Sequence, residues 1–268
     1  MELQEVAPII PGRNGRMVPL IAAALAFSML LVTPFLAFYW YQLPFLGVLL
    51  EANNMVNQAN SRGWPAHDAG VHTYDRLVEL NDEPMRSPQQ VMNFMRGNGV
   101  ELVRARFARP DGSQYYIYVI PLPHFPFGDF FSLYVVPYLV GVVFMAIGLW
   151  AYNVRSDTSA GRVLLIYVSG VSMGVVGFFD LVSTNQTVVL WTASLVLTGA
   201  SLMHLAMVFP QPLQVVVQRR SVLWLPWIVA AALAPFMMAA VISPSPSVPL
   251  DVASWRWGYL YMVASTLF

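Results

Sequence analysis

The sequence predicts a helical membrane bundle of about six spans, the last incomplete, with a small α+β domain inserted in it. Three observations carry that prediction. Apolar residues fill 57% of the 268 positions and charged ones 10%, and the mean hydropathy is +0.58, which excludes an ordinary soluble globule. Uncharged apolar runs of the ~20 residues needed to cross the hydrocarbon recur along the chain. Between the first two runs, residues 44–121 hold most of the charges and change character abruptly to short strand, turn and helix signals.

Met17 to Phe38 is the first span, and it contains no charge. It is longer than the apolar region of a signal peptide, and Ala22-Ala23-Ala24 lies inside it, so it reads as an uncleaved anchor. Phe38, Tyr39, Trp40 and Tyr41 fit an aromatic belt at headgroup level. The organisation is thus a tail over 1–16, an anchor with its belt over 17–43, the inserted domain over 44–121 and the remaining bundle over 122–268.

That bundle contains runs at Phe130 to Tyr152, Val163 to Val182, Thr187 to Phe209 and Val222 to Ile242, with a sixth beginning near Trp255. From Trp255 only about fourteen residues remain, too few at ~1.5 Å each for a ~30 Å core. The last helix therefore reads as cut off, and the chain as the N-terminal portion of something longer, with a natural short end docked against the bundle as the alternative.

Arg13 and Arg16, Arg155 and Arg162, and Arg219 and Arg220 fall on one side of this arrangement, while Ser183 to Gln186 carries no charge on the other. By the positive-inside rule the arginine side is cytoplasmic, in a multi-pass protein of the plasma membrane with its N-terminus inside. The Pro-rich loop Ser243 to Ser254 falls outside, with Arg256 the exception at its edge. Pro44 to Gly128 is then extracytoplasmic, because long translocated segments escape the charge rule.

Fourteen arginines balance fourteen acids and there is no lysine, so no basic face would hold a nucleic acid. With no cysteine, thiolate catalysis, disulfides and Cys-ligated metals are excluded. No P-loop, H-E-x-x-H or dinucleotide fingerprint occurs, and no cofactor is expected. His67, His72 and His124 are isolated and read as surface histidines, not metal ligands.

Within the inserted domain, Leu77 to Leu80 reads as a strand running into the turn Asn81-Asp82-Glu83-Pro84. Ser87 is placed to cap a helix opened by Pro88, with Val91, Phe94 and Met95 on one face and Gly97 and Gly99 as the stop. Val100 to Ala108, the turn Pro110-Asp111-Gly112-Ser113 and Tyr115 to Ile120 read as a hairpin.

The stretch Ala69-Gly70-Val71-His72-Thr73-Tyr74-Asp75-Arg76-Leu77-Val78-Glu79-Leu80-Asn81-Asp82-Glu83-Pro84-Met85 resembles the PDZ domain of the bacterial extracytoplasmic kind, whose pattern is A-G-L-x-x-G-D-R-I-L-x-V-N-G-x-P-V. Tyr74 and Asp82 stand where that pattern has glycine. Pro44-Phe45-Leu46-Gly47-Val48 is similar to the family's Gly-Leu-Gly-Phe carboxylate loop, with Pro and Phe replacing its opening glycine region. The resemblance implies capture of a peptide or protein C-terminus by strand addition, with the amides of Leu46, Gly47 and Val48 holding the carboxylate. Pro88 to Arg96 would be the opposite wall, presenting Pro88, Met92 and Met95. For the two methionines, plain core packing is the competing reading. Pro88 stands where many relatives carry a His, so an apolar ligand end is implied.

An anchor, an external PDZ-like domain and a multi-helix bundle together resemble the sensory half of bacterial membrane sensor histidine kinases, including competence-type peptide-pheromone receptors. Val208-Phe209-Pro210-Gln211-Pro212 is similar to a recurrent feature of such modules. The resemblance implies a sensory input module of a two-component system, with any kinase domain beyond Phe268 and no phosphotransfer by these residues. A homodimer is expected. The alternative is a membrane-bound PDZ adaptor that regulates a protease or envelope complex.

Two polar positions inside spans invite chemistry. Ser201 and His204 are three apart and can share a helix face, as in a serine hydrolase, although small-residue clusters on membrane helices more commonly pack. Asp180, near the outer end of its span, is a functional candidate or an interface-exposed acid. Asn185-Gln186-Thr187 matches a glycosylation sequon in a turn too close to the membrane to be a good acceptor.

Overall fold

The computed structural model describes residues 14–59, 61, 63–242 and 248–267. The chain runs through helix α1 (Asn14–Tyr41), a short helix α2 (Pro65–Asp68), strands β1 (Arg76–Leu80) and β2 (Glu83–Pro84), helix α3 (Pro88–Asn98) and strands β3 (Val103–Ala108) and β4 (Gln114–Val119). It continues through α4 (Phe127–Phe130), a π-helical turn (Phe131–Val135), α5 (Val136–Arg155), α6 (Ser159–Leu181), α7 (Val188–Val208), α8 (Gln214–Gln218), α9 (Leu225–Ile242) and α10 (Val248–Leu267).

Among the described residues, five helical stretches are long and apolar enough to cross a membrane: Arg16–Tyr41, Phe127–Arg155, Ser159–Leu181, Val188–Val208 and Arg220–Ala239. The expected sixth differs from its forecast. α10 starts at Val248, so it has 20 residues instead of fourteen and reaches about 30 Å. It packs on α7 and α9, and the expected Ser243 to Ser254 loop is helical from Val248 onward. Residues 1–13, including Arg13 and most of the expected tail, lie outside the described residues, as do 243–247.

α6 is the central helix of the bundle, packed against α1, α5 and α7. Its serines bond backbone: Ser172 Oγ donates to the Gly141 carbonyl of α5 at 3.0 Å, and Ser169 Oγ to Leu165 of its own helix at 2.7 Å. At its far end Arg162 donates to the carbonyls of Ser156 and Asp157, closing the turn from α5. Because successive helices run back and forth, Arg16, Arg155, Arg162, Arg219 and Arg220 gather at the end away from the sheet.

The inserted domain is a four-stranded antiparallel sheet of order β2-β1-β3-β4. A register shift between Leu77 and Glu79 interrupts β1, which is why the alternation there is loose: Leu77 and Leu80 both face the core. β3 alternates strictly, burying Val103, Ala105 and Phe107 against Val91 and Met95 of α3. Ser87 Oγ accepts the Gln90 amide at the start of α3, as its position before Pro88 requires. The helix passes through Gly97 and ends at Asn98, with Gly99 at φ 64 as its cap. The hairpin turn is fixed by Asp111, whose carboxylate accepts the Ser113 amide at 2.8 Å and hydroxyl at 2.6 Å.

The domain is fused to the bundle through an aromatic core. Trp40 at the end of α1 meets Phe45, Phe125 and Phe179 edge-on at 5.2–5.9 Å, and Trp64 meets Phe45 and Phe125 at 5.0 and 5.3 Å. This divides the expected aromatic belt. Phe38 and Tyr39 face outward, whereas Trp40 belongs to this core and Tyr41 packs on Phe130.

Candidate ligand groove

A groove opens where the loop after α1 approaches α3. Leu46, Val48, Pro88, Met92 and Met95 line it, and Trp40, Leu43 and Val91 complete its walls. Five of the six residues singled out by sequence therefore share one cavity. The sixth, Gly47, acts from behind: its φ is +97, and a Cβ there would collide with the backbone of Pro65 and Ala66. Met95 is both groove lining and domain core, at 3% exposure, while Met92 is half-buried. The cavity holds about 40 Å³, room for only a few water molecules.

Residues 45–50 are all buried. The amide and carbonyl of Phe45 pair with Leu122, and Leu50 bridges Val56. Among the described residues, nothing accepts a hydrogen bond from the amides of Leu46, Gly47 or Val48. Buried amides are rarely left unpaired, and three in succession around a positive-φ glycine form an arrangement suited to an anion.

The fourth side of the groove is the turn between α6 and α7, since Val182 and Ser183 also line the cavity. Asp180 builds that turn: its carboxylate accepts the Thr187 amide at 2.6 Å, the Thr187 hydroxyl at 2.8 Å and the Thr184 hydroxyl. At 3% exposure it is an internal staple, which corrects the interface-exposed alternative. Asn185 donates its side-chain amide to the Leu50 and Ser183 carbonyls, so the sequon's acceptor nitrogen is engaged.

No protein-family model matches the chain, and no curated protein matches it.

The other constellations separate. Ser201 donates to the Leu197 and Thr198 carbonyls of its own helix, whereas His204 Nδ1 accepts the Trp227 indole N–H at 2.9 Å. A nucleophile–base pair is thus not formed, and both side chains serve helix packing. Among the described residues no group of three or more His, Asp or Glu could hold a metal ion. His124 stacks on Tyr41 and His67 lies beside Asp68. The amide of Gly63 and then His67 hold the Asp68 carboxyl below its usual range. Behind the sheet, buried Asp75 accepts the Tyr115 hydroxyl at 2.5 Å and the His72 amide at 2.8 Å. Burial, then that bond to Asp75, pushes the Tyr115 phenol up.

Sequence reasoning missed Trp40, Leu43, Leu50, Gln89 and the 182–185 turn. The only available signal was polarity: Ser183-Thr184-Asn185-Gln186 is dense in hydrogen-bonding side chains for so short a connection.

Proposed function

We propose that this protein is the sensory input part of a membrane signalling protein and that its extracytoplasmic domain binds a peptide or protein C-terminus in the groove between residues 46–50 and α3. The observation that carries this reading is the row of amides at Leu46, Gly47 and Val48, which have no acceptor among the described residues, in a loop whose Leu46 and Val48 line an apolar cavity. A terminal carboxylate supplies the acceptors those amides lack, and the ligand's last side chain meets Pro88, Met92 and Met95. The backbone also supports the PDZ likeness at the two departures from its pattern. Tyr74 has φ 72 and Asp82 φ 69, so both hold the left-handed conformation that glycine would adopt. The arginines gathered at the opposite end of the bundle support an external domain. The fused aromatic core favours signal input over an adaptor, whose domain would need only a tether.

The test compares the pentapeptide Ala-Ala-Ala-Leu-Val as free acid and as C-terminal amide on the full chain in detergent. Losing a charge-assisted site costs about 1.5–3 kcal/mol, so the amide should bind about tenfold to a hundredfold more weakly. Equal affinities would reject carboxylate capture. Gly47→Asp should abolish binding, by crowding Pro65 and by repelling the carboxylate.

A further inference from the structure

The groove is already occupied on one side by a turn of its own chain, residues 182–185. Leu50 is paired to Val56 on one side, where the flanking bonds run from Asn57 N to Leu49 O at 3.0 Å and from Glu51 N to Met55 O at 2.9 Å. In such a pair the N–H and C=O of Leu50 point to the other side, the free edge that an added strand would use. Both are taken by the α6–α7 turn. The Leu50 amide donates to the Val182 carbonyl at 3.2 Å, and the Leu50 carbonyl accepts the Asn185 side-chain amide at 3.3 Å. From the opposite wall, Gln89 of α3 donates its side-chain amide to the Thr184 carbonyl at 3.0 Å.

We infer that residues 182–185 are a resident pseudo-ligand of the groove, and that a peptide entering it must displace them from Leu50 and so free the α6–α7 end of the bundle. This rests on the peptide-binding reading above and adds its regulation. Among the described residues the amides of Leu46 to Val48 have no acceptor, while Leu50 is occupied. A ligand running antiparallel to this edge therefore meets the amides of Leu46 to Val48 with its carboxylate first, and its last side chain must widen the small cavity that Val182 and Ser183 help to close. Two residues further along, about 6.6 Å at strand rise, it meets the turn's bonds to Leu50. Competition for Leu50 begins there.

The absence of cysteine makes the contact lockable. The Leu50 amide and the Val182 carbonyl are in direct contact, so Leu50→Cys with Val182→Cys should cross-link on mild oxidation of the full chain in detergent. The reduced double variant should bind the free-acid pentapeptide at least tenfold more tightly than its oxidised form. Because both are the same protein, folding is controlled within the pair. In the parent chain the Leu50 amide should be protected from deuterium exchange. Gln89→Ala with Asn185→Gly, which keeps the positive φ at position 185 unstrained, should speed its exchange at least tenfold and leave β3 unchanged. Absence of the cross-link, detectable but equal binding by the two redox forms, or unaltered Leu50 exchange would each overturn the inference. A cross-link with protected Leu50 and no peptide binding in either form would uphold the resident turn and reject only the peptide reading.

Discussion

Trp64 donates its indole N–H to Asp129 Oδ2 at 2.8 Å, joining the inserted domain to the stretch that leads into the second long apolar helix. Sixty-five residues separate the two. The bond adds a polar tie to the aromatic core that joins the domain to α1, and Trp64 itself is 2% exposed.

Replacing this indole separates its two contributions. Trp64→Phe keeps an aromatic ring against Phe45 and Phe125 but leaves Asp129 without its donor, and should cost about 1–3 kcal/mol. Trp64→Ala also opens a cavity and should cost about 3–5 kcal/mol. Thermal unfolding of the purified chain in detergent reads both. A Phe variant that melts with the parent would show that the hydrogen bond contributes nothing.

Tyr74 occupies the left-handed region at φ 72. Tyr74→Gly and Tyr74→Ala remove the same ring, but only glycine adopts that backbone freely, so the Gly variant should be more stable by about 1 kcal/mol. An Ala variant as stable as the Gly one would mean that the backbone carries no strain there.

The Ser113 hydroxyl and amide hold the Asp111 carboxyl below its usual range. A depressed pKa adds stability above the unfolded value, near 4, and that contribution is lost as pH falls through the folded value. Exchange at the Gly112 and Ser113 amides should therefore quicken on acidification below about pH 4, after correction for intrinsic rates. Asp111→Asn should remove the transition, and a transition that persists in this variant belongs to another group.

Orientation is open to single-cysteine labelling. In intact cells an impermeant maleimide should reach Ser113→Cys and leave Arg155→Cys unmodified. The reverse pattern would invert the topology and remove the extracytoplasmic reading.

Local signals were legible where one short segment decides the outcome. Ser87 before Pro88 marks a helix start, Gly99 its end, and uncharged apolar runs mark the spans. The groove walls were legible in part, because Leu46, Val48, Pro88, Met92 and Met95 lie in two short stretches whose spacing can be compared with a pattern. Gly97 misled because an exposed glycine is tolerated in a helix at about 1 kcal/mol. The start of α10 at Val248 was hidden by Pro249, which halts a helix in its interior but suits its first turn. The seating of Val182 to Asn185 beside Leu50 was not legible at all. It joins segments about 135 residues apart, and a buried polar turn has the composition of an exposed one until its partners are known.

The seam between domain and bundle is unequal along its length. On one side Trp40, Phe45, Trp64 and Phe125 interlock; each buried aromatic removes ~150–250 Å² from water, about 4–6 kcal/mol at ~25 cal/mol per Å². On the other side the bonds from Leu50, Asn185 and Gln89 to their carbonyl partners are worth a net ~0.5–1.5 kcal/mol each, and water can replace them. Separation of the whole domain is therefore far costlier than parting its polar margin. The domain is hung like a door, with the aromatic residues as its hinge and the α6–α7 turn as its latch.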